Sequence, residues 1–175
     1  MRQLLLLCVL ACSVFFAGCP LQTDEPILSD PDTQIPAWIS GTWVVISPVK
    51  ERKEIYRFER IPTEPMNVTV TGLDSAGRVD KDNIRKGVLS YVGRQLFISV
   101  YDKGDEDNEG GYYHYAIAQN PKGNMFLVPV QEDLMPMNTT GAELASYFRN
   151  HAATSDYLDR EKAVEFKKQV EAGKK

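Results

Sequence analysis

Hydrophobic side chains recur at every second residue along much of the middle of the chain, which is the spacing of half-buried β-strands. In "KEIYRFERI", Tyr56 and Phe58 fall on one face and Arg57 and Glu59 on the other. Such segments are rich in β-branched and aromatic residues, and Gly, Pro, Asn and Asp separate them. We predict strands at residues 41–47, 53–61, 66–73, 86–92, 94–102, 112–119 and 124–131.

Short turns join these segments, for example around Gly93 and between Gln119 and Asn124. Strands joined by tight turns are antiparallel neighbours. The sequence therefore predicts a mainly β fold, an antiparallel meander that closes into a barrel, with a sandwich as the alternative.

The spacing changes after Pro136, where a helical pattern begins. Thr140 is a good N-cap, and Glu143 three residues later completes a capping box. The apolar stripe that follows consists of Leu144, Tyr147 and Phe148. We predict one helix near the C-terminus, from about Gly141 to Asn150. The later segment "EKAVEFKKQV" fits either a strand with Val164 and Phe166 inward or a helix, and a strand that closes the barrel is favoured.

The N-terminal pattern is different, because a run from Leu4 to Ala17 without charged residues follows Arg2. This is typical of a secretory signal. A helix of 14 residues at about 1.5 Å per residue spans about 21 Å, less than the roughly 30 Å core of a bilayer. We therefore expect a signal peptide over residues 1–18 rather than a membrane-spanning helix.

Ala17, Gly18 and Cys19 follow this run directly. They resemble the lipobox of bacterial lipoproteins, although Phe16 stands where that family usually has Leu. The resemblance implies that Cys19 becomes the N-terminus and carries acyl chains such as palmitate, which anchor the protein to a membrane. The next residue is Pro20 rather than Asp, which by analogy favours the outer membrane of a Gram-negative envelope. Secretion with a free Cys19 thiol is the alternative.

Composition supports export. The chain has three cysteines, and none follows Cys19, so the mature body would contain neither disulfides nor thiol chemistry. Loss of residues 1–18 removes only Arg2 among charged groups and lowers the formal net charge from −4 to −5. An acidic body argues against nucleic acid as a partner. Residues 19–36 contain four prolines, and we predict that they form a lipidated, exposed tether. We predict that residues 37–175 form a single β-rich domain.

Gly41, Thr42 and Trp43 open the first predicted strand. They resemble the Gly-x-Trp signature of lipocalins, and the order of strands, late helix and final strand is similar to that family's. The resemblance implies a lipocalin-like barrel in which Trp43, next to Gly41, closes the narrow end as a structural residue. The whole arrangement also resembles small uncharacterised lipoproteins of Gram-negative bacteria, and this implies no particular activity.

Two polar features invite a chemical interpretation. His114 shares a strand face with Tyr112 and Ala116, and a histidine that is exposed or satisfied by hydrogen bonds is favoured over a catalytic base. The acidic run from Asp105 resembles the first half of a calcium loop, but its twelfth position is Ala116 instead of a glutamate. A solvated hairpin loop is therefore favoured, and we predict no metal site.

Aromatic residues on adjacent strands form the remaining candidate site. If Tyr91, Phe97, Tyr113 and Tyr115 faced the barrel interior, they would line an apolar ligand pocket. The favoured interpretation is that such rings fill a small barrel.

No nucleophile elbow, metal motif or paired-carboxylate pattern stands out, so we predict no enzyme and no cofactor. The expected function is that of a lipid-anchored envelope protein, facing the periplasm, that presents a β-domain for structural or protein-partner contacts. The alternative is a carrier or sensor of a small apolar ligand.

Overall fold

The computed structural model describes residues 20–31, 33–46, 54–104 and 109–169 of the 175-residue chain. The predicted signal peptide, Cys19 and residues 105–108 of the acidic run lie outside the described residues. Within them, the strands are β1 (Gln22–Thr23), β2 (Gly41–Ile46), β3 (Ile55–Ile61), β4 (Glu64–Leu73), β5 (Val79–Val92), β6 (Gln95–Gly104), β7 (Glu109–Gln119), β8 (Met125–Pro129) and β9 (Val164–Lys168). The α-helix, α1, spans Gly141–Asn150, and 3₁₀ helices lie at Ala37–Ile39, Glu132–Leu134 and Arg160–Lys162.

Eight of these strands close into an antiparallel barrel. β2 to β8 are neighbours in chain order, and β9 lies between β8 and β2. The predicted mainly β fold and its closed meander are confirmed, and the sandwich alternative is wrong. β1 lies outside this ring and pairs with β7, where Gln22 is opposite Tyr113.

The C-terminal segment whose sequence fitted two structures is the strand β9. Phe166 lies opposite Val45 of β2 on one side and opposite Met125 of β8 on the other. Its side chain is buried in the barrel interior. The closing strand therefore follows the helix, as the alternation of Val164 and Phe166 predicted.

The predicted helix is confirmed, together with its capping box. The Thr140 hydroxyl accepts a hydrogen bond from Glu143 N (3.3 Å), and Thr140 N donates to the Glu143 carboxylate (2.9 Å). These two bonds satisfy amides that the first turn of a helix leaves without partners. The buried side of α1 carries Leu144, Ala145 and Phe148.

Strand alternation divides the buried side chains between two cores. The barrel interior contains large residues such as Trp43, Phe58, Leu89, Ile98 and Phe166. A second, outer core lies between the outer face of β5–β8 and the segments that cover it. Its members are Leu21, Ile27, Val92, Phe97, Ala116, Val130, Leu144, Ala145, Phe148 and Tyr157.

Residues 20–31, here called the N-terminal strap, form part of the folded domain instead of the exposed tether that the sequence predicted. Leu21 and Ile27 are 1% exposed, and beyond the strap Ile35 is also buried. Leu21 N donates to Val130 O (2.8 Å), and His114 N donates to Leu21 O (3.2 Å). The folded domain therefore begins before residue 37 and includes the strap.

The physical reason is that prolines do not prevent burial at the edge of a sheet. Proline lacks a donor but is compatible with extended chain at a strand start or edge. Pro20 precedes β1 and forms a β-bridge with Gln131. Between the prolines, Leu21 and Ile27 supply apolar side chains to the outer core. The proline content of this segment suggested an exposed tether. Leu21 and Ile27 did not correct that prediction, because they lie too far apart in the sequence to form a local hydrophobic pattern.

Candidate functional site

The predicted ligand-lining residues fall into both cores. Tyr91, Tyr113 and Tyr115 pack against the barrel interior, and Tyr115 is 3% exposed. Phe97 instead belongs to the outer core, where its ring stacks on Phe148 at a centroid distance of 4.8 Å. Phe97 therefore does not line the interior, because its neighbours Leu96 and Ile98 take the inward positions on β6.

The barrel interior is filled where the tyrosines meet the closing strand. The cavity there, next to Tyr115, has a volume of about 10 Å³. It is lined by Val45, Glu54, Tyr56, Tyr115, Leu127, Val164 and Phe166. A single water molecule needs about 10–15 Å³, and small-molecule pockets measure about 300 Å³ or more. This cavity has no room for an apolar ligand.

Aromatic packing explains why so little space remains. The ring of Phe166 meets those of Tyr56 and Phe58 edge to face, with centroid distances of 6.2 and 6.4 Å. Edge-to-face contacts let large rings interlock without gaps. Of the side chains that suggested a pocket, Tyr91, Tyr113 and Tyr115 thus belong to the packed interior of a small barrel, whereas Phe97 does not.

Gly41 and Trp43 lie at the end of the barrel next to the 3₁₀ helix Ala37–Ile39. Trp43 is fully buried, and its Nε1 donates to Ile39 O (2.9 Å). Lys168 Nζ lies 5.3 Å from the Trp43 ring centroid and donates to Trp38 O (2.9 Å). A cation at this distance over an indole ring is attracted to its π face.

The glycine makes this arrangement sterically feasible. Gly41 has φ of +137°, and a Cβ built there would lie 2.9 Å from Lys168 Cε. Sequence reasoning did not find Lys168. The signal was present, because Lys168 is two residues from the inward Phe166 and so shares its face of β9.

His114 is the most unusual polar residue of the described part, because it is completely buried. Its Nδ1 lies 2.9 Å from Ser99 Oγ and its Nε2 lies 2.7 Å from Thr23 Oγ1. Burial lowers the pKa of His114 to about 3, so the ring is neutral at physiological pH. Both ring nitrogens of His114 therefore have hydrogen-bond partners inside the protein.

The surrounding bonds determine which nitrogen carries the proton. The Thr23 hydroxyl donates to Glu25 O (2.7 Å), so Thr23 Oγ1 accepts from the Nε2–H of His114. Ser99 Oγ accepts from Ile27 N (3.2 Å) and donates to Nδ1. Every member of this chain of bonds has a partner, and the bonds run from the barrel to the strap. The ring therefore fastens the strap and is not available as a base.

The strap is fastened at a second point by serine. Ser90 Oγ donates to Ile27 O (2.6 Å), so both backbone groups of Ile27 are bound by serines of the barrel wall. Sequence reasoning missed Thr23, Ser90 and Ser99. Ser90 and Ser99 interrupt the apolar runs at the end of β5 and the start of β6, and buried serines in such runs need hydrogen-bond partners.

In the described part of the chain, no three His, Cys, Asp or Glu side chains are grouped so that they could hold a metal ion. Among those residues, no helix combines the length and apolar character that crossing a membrane requires.

Comparisons with known proteins provide little further information. No family model and no curated protein matches the chain. Among solved structures, the chain is similar to a DUF4909 family protein from Staphylococcus aureus, with a TM-score of 0.45 and 12% sequence identity. The match covers 77% of this chain and 100% of that chain. A similarity of this size does not assign a function to the chain.

Proposed function

We propose that the protein is acylated at Cys19 and acts at a bacterial envelope membrane as a non-catalytic structural or partner-binding module. The lipobox-like end of the signal segment and the cysteine-free body that follows support the anchor. The observation that favours a scaffold over a ligand carrier is the close packing of the barrel interior beside Tyr115, where the cavity measures about 10 Å³.

The surface of the barrel offers area for a partner. Ile84 and Tyr101 are 44% and 40% exposed on the outer face, and the rings of Tyr101 and Tyr112 lie 5.2 Å apart. Aromatic residues such as tyrosine are enriched in protein–protein interfaces. The strap and α1 cover the outer core, whereas Ile84 and Tyr101 remain accessible on β5 and β6.

The anchor is tested by Cys19→Ser in the native host. The wild type is expected in the membrane fraction with acyl mass on its N-terminal peptide, and the variant in the soluble fraction. A wild-type protein without acyl mass, or a variant that stays in the membrane, would contradict the proposal. A Ser13→Ala variant, altered within the signal segment but outside the Ala17–Gly18–Cys19 stretch, is the matched control.

The scaffold role is tested by native mass spectrometry of residues 20–175 produced in the periplasm. A bare mass is expected, equal under gentle and denaturing conditions. An additional mass that disappears on denaturation would instead indicate a carrier. Loss of that mass in Tyr115→Ala, but not in Phe97→Ala, would place the ligand in the barrel interior rather than in the outer core.

A further inference from the structure

The residue proposed for acylation, Cys19, immediately precedes the first described residue of the folded domain. Cys19 is bonded to Pro20, and the Cα atoms of successive residues are about 3.8 Å apart. Pro20 is buried and bridges to Gln131, and Leu21 is hydrogen-bonded to Val130. The described chain therefore begins at a residue, Pro20, that is fixed to the folded domain beside Gln131.

An apolar loop lies next to this point. It consists of Leu134, Met135, Pro136 and Met137 and is here called the methionine loop. The chain that leads to it runs beside the strap, since Pro20 pairs with Gln131 and Asp24 N donates to Met137 O (3.1 Å). Four residues of extended strap span about 13 Å. With the 3.1 Å hydrogen bond from Asp24 N added, the carbonyl of Met137 lies no more than about 16 Å from the start of the strap.

The methionine loop packs against the outer core through its first two residues and exposes apolar side chains at its other end. Leu134 and Met135 are half-buried against the outer core, whereas Pro136 is exposed and Met137 is 36% exposed. Thr139 donates two hydrogen bonds to Pro136 O, from its N (3.1 Å) and its hydroxyl (2.6 Å). Because this carbonyl is satisfied within the turn, contact with lipid does not leave it without a partner.

We propose that the methionine loop lies in the headgroup region of the bilayer that holds the acyl chains, so that the barrel sits on the membrane in one orientation. The proposal rests on the acylation of Cys19 proposed above. Acyl chains on Cys19 bring the start of the strap to the membrane interface, and the loop is close enough to reach the same layer. Exposed Asp24 and Glu132 lie beside it, so the surface that it fits is zwitterionic phospholipid rather than a strongly anionic one.

The absence of cysteine after Cys19 makes a site-specific test simple. An introduced cysteine would be the only free thiol of the acylated protein. Met137→Cys places a fluorophore in the loop, and Ile84→Cys is the matched control. Ile84 is 44% exposed, similar to Met137, but lies on β5 opposite Thr71 of β4, away from β7 and β8.

The experiment uses the full-length acylated protein in phosphatidylcholine vesicles that contain a headgroup-region quencher. Quenching is expected to be at least about twofold stronger at position 137 than at position 84, because interfacial segments lie within roughly 5–10 Å of the acyl boundary. Adding anionic phosphatidylglycerol should reduce the quenching at position 137. Equal quenching at the two positions would overturn the proposal, and an increase with anionic lipid would overturn the stated lipid preference.

Two failures are distinguishable. If the N-terminal peptide carries no acyl mass, the anchor itself is refuted. If the peptide is acylated and the protein co-floats with vesicles, but position 137 is quenched no more than position 84, only the seated orientation is refuted.

Discussion

His114 donates a hydrogen bond of 2.7 Å from Nε2 to the Oγ1 of Thr23, which lies 91 positions earlier in the chain. The bond connects the middle of β7 to the N-terminal strap. Both side chains are fully buried, so neither can exchange this partner for water. The fastening of the strap therefore depends on a neutral histidine and on its fixed tautomer.

Thr23→Val is expected to destabilise the protein by about 1–3 kcal/mol, because the isosteric side chain leaves the Nε2–H of His114 without an acceptor. Urea unfolding followed by circular dichroism measures the change. The control is Thr69→Val, on the outward face of β4 and half-buried, where a change within about 0.5 kcal/mol is expected. Equal effects at the two sites would contradict the role assigned to Thr23.

Stability should fall on acidification from about pH 6.5. The pKa of His114 is lowered from 6.5 to about 3 in the folded protein, so between these values the unfolded chain binds one more proton. The free energy of unfolding then decreases by up to about 1.4 kcal/mol per pH unit as the pH falls, and the stabilisation is fully present only above pH 6.5.

The matched variant for this prediction is His114→Gln. It should lose this slope between pH 6.5 and 4.5, whatever its stability at neutral pH. Urea unfolding at several pH values gives the slope directly. A wild-type slope retained in the variant would show that other groups produce the pH dependence.

Phe97→Ala is expected to cost about 3–5 kcal/mol, since it opens a cavity beneath α1 where the ring stacks on Phe148. Amide hydrogen exchange in α1 should accelerate. Phe126→Ala removes the same ring from a half-buried position on β8 and should cost clearly less. A loss confined to the barrel strands, with α1 still protected, would argue against this packing.

Gly41→Ala should destabilise by about 1–3 kcal/mol through backbone strain, because φ is +137° there. The new methyl group would also meet Lys168 Cε at 2.9 Å. Gly93→Ala is the comparison, because Gly93 has φ of +60° and no atom lies within 4 Å of a built Cβ. Shifts of the urea midpoint measure both, and the larger shift is expected at Gly41.

Much of the fold could be predicted because its signals are local. Alternation defined the strands, and Thr140 with Glu143 located the start of α1. The orientation of Phe97 could not be read in this way. β6 is apolar on both faces, with Leu96, Phe97 and Ile98 all buried, so alternation could not show which face was inward.

The strap was missed for a different reason. Its contacts join Thr23 to His114 and Ile27 to Ser90 and Ser99, and such distant pairs leave no periodic pattern in one sequence. The filled interior was favoured from ring size and barrel size alone. The edge-to-face packing of Phe166 against Tyr56 and Phe58, which leaves little space between the rings, is visible only in the structure.

The strap also affects the order in which the chain can fold during synthesis. Its residues are among the first to be made, whereas their partners His114, Val130 and Gly141 come about a hundred residues later. β2 likewise can pair with β9 only after the C-terminal part of the chain has been made. Long-range pairing of this kind is slow and keeps strand edges exposed until it is complete. A chain cut short before β9 should thus be a substrate for proteases and chaperones. The pulse-chase stability of nested C-terminal truncations should rise in a single step when β9 is restored.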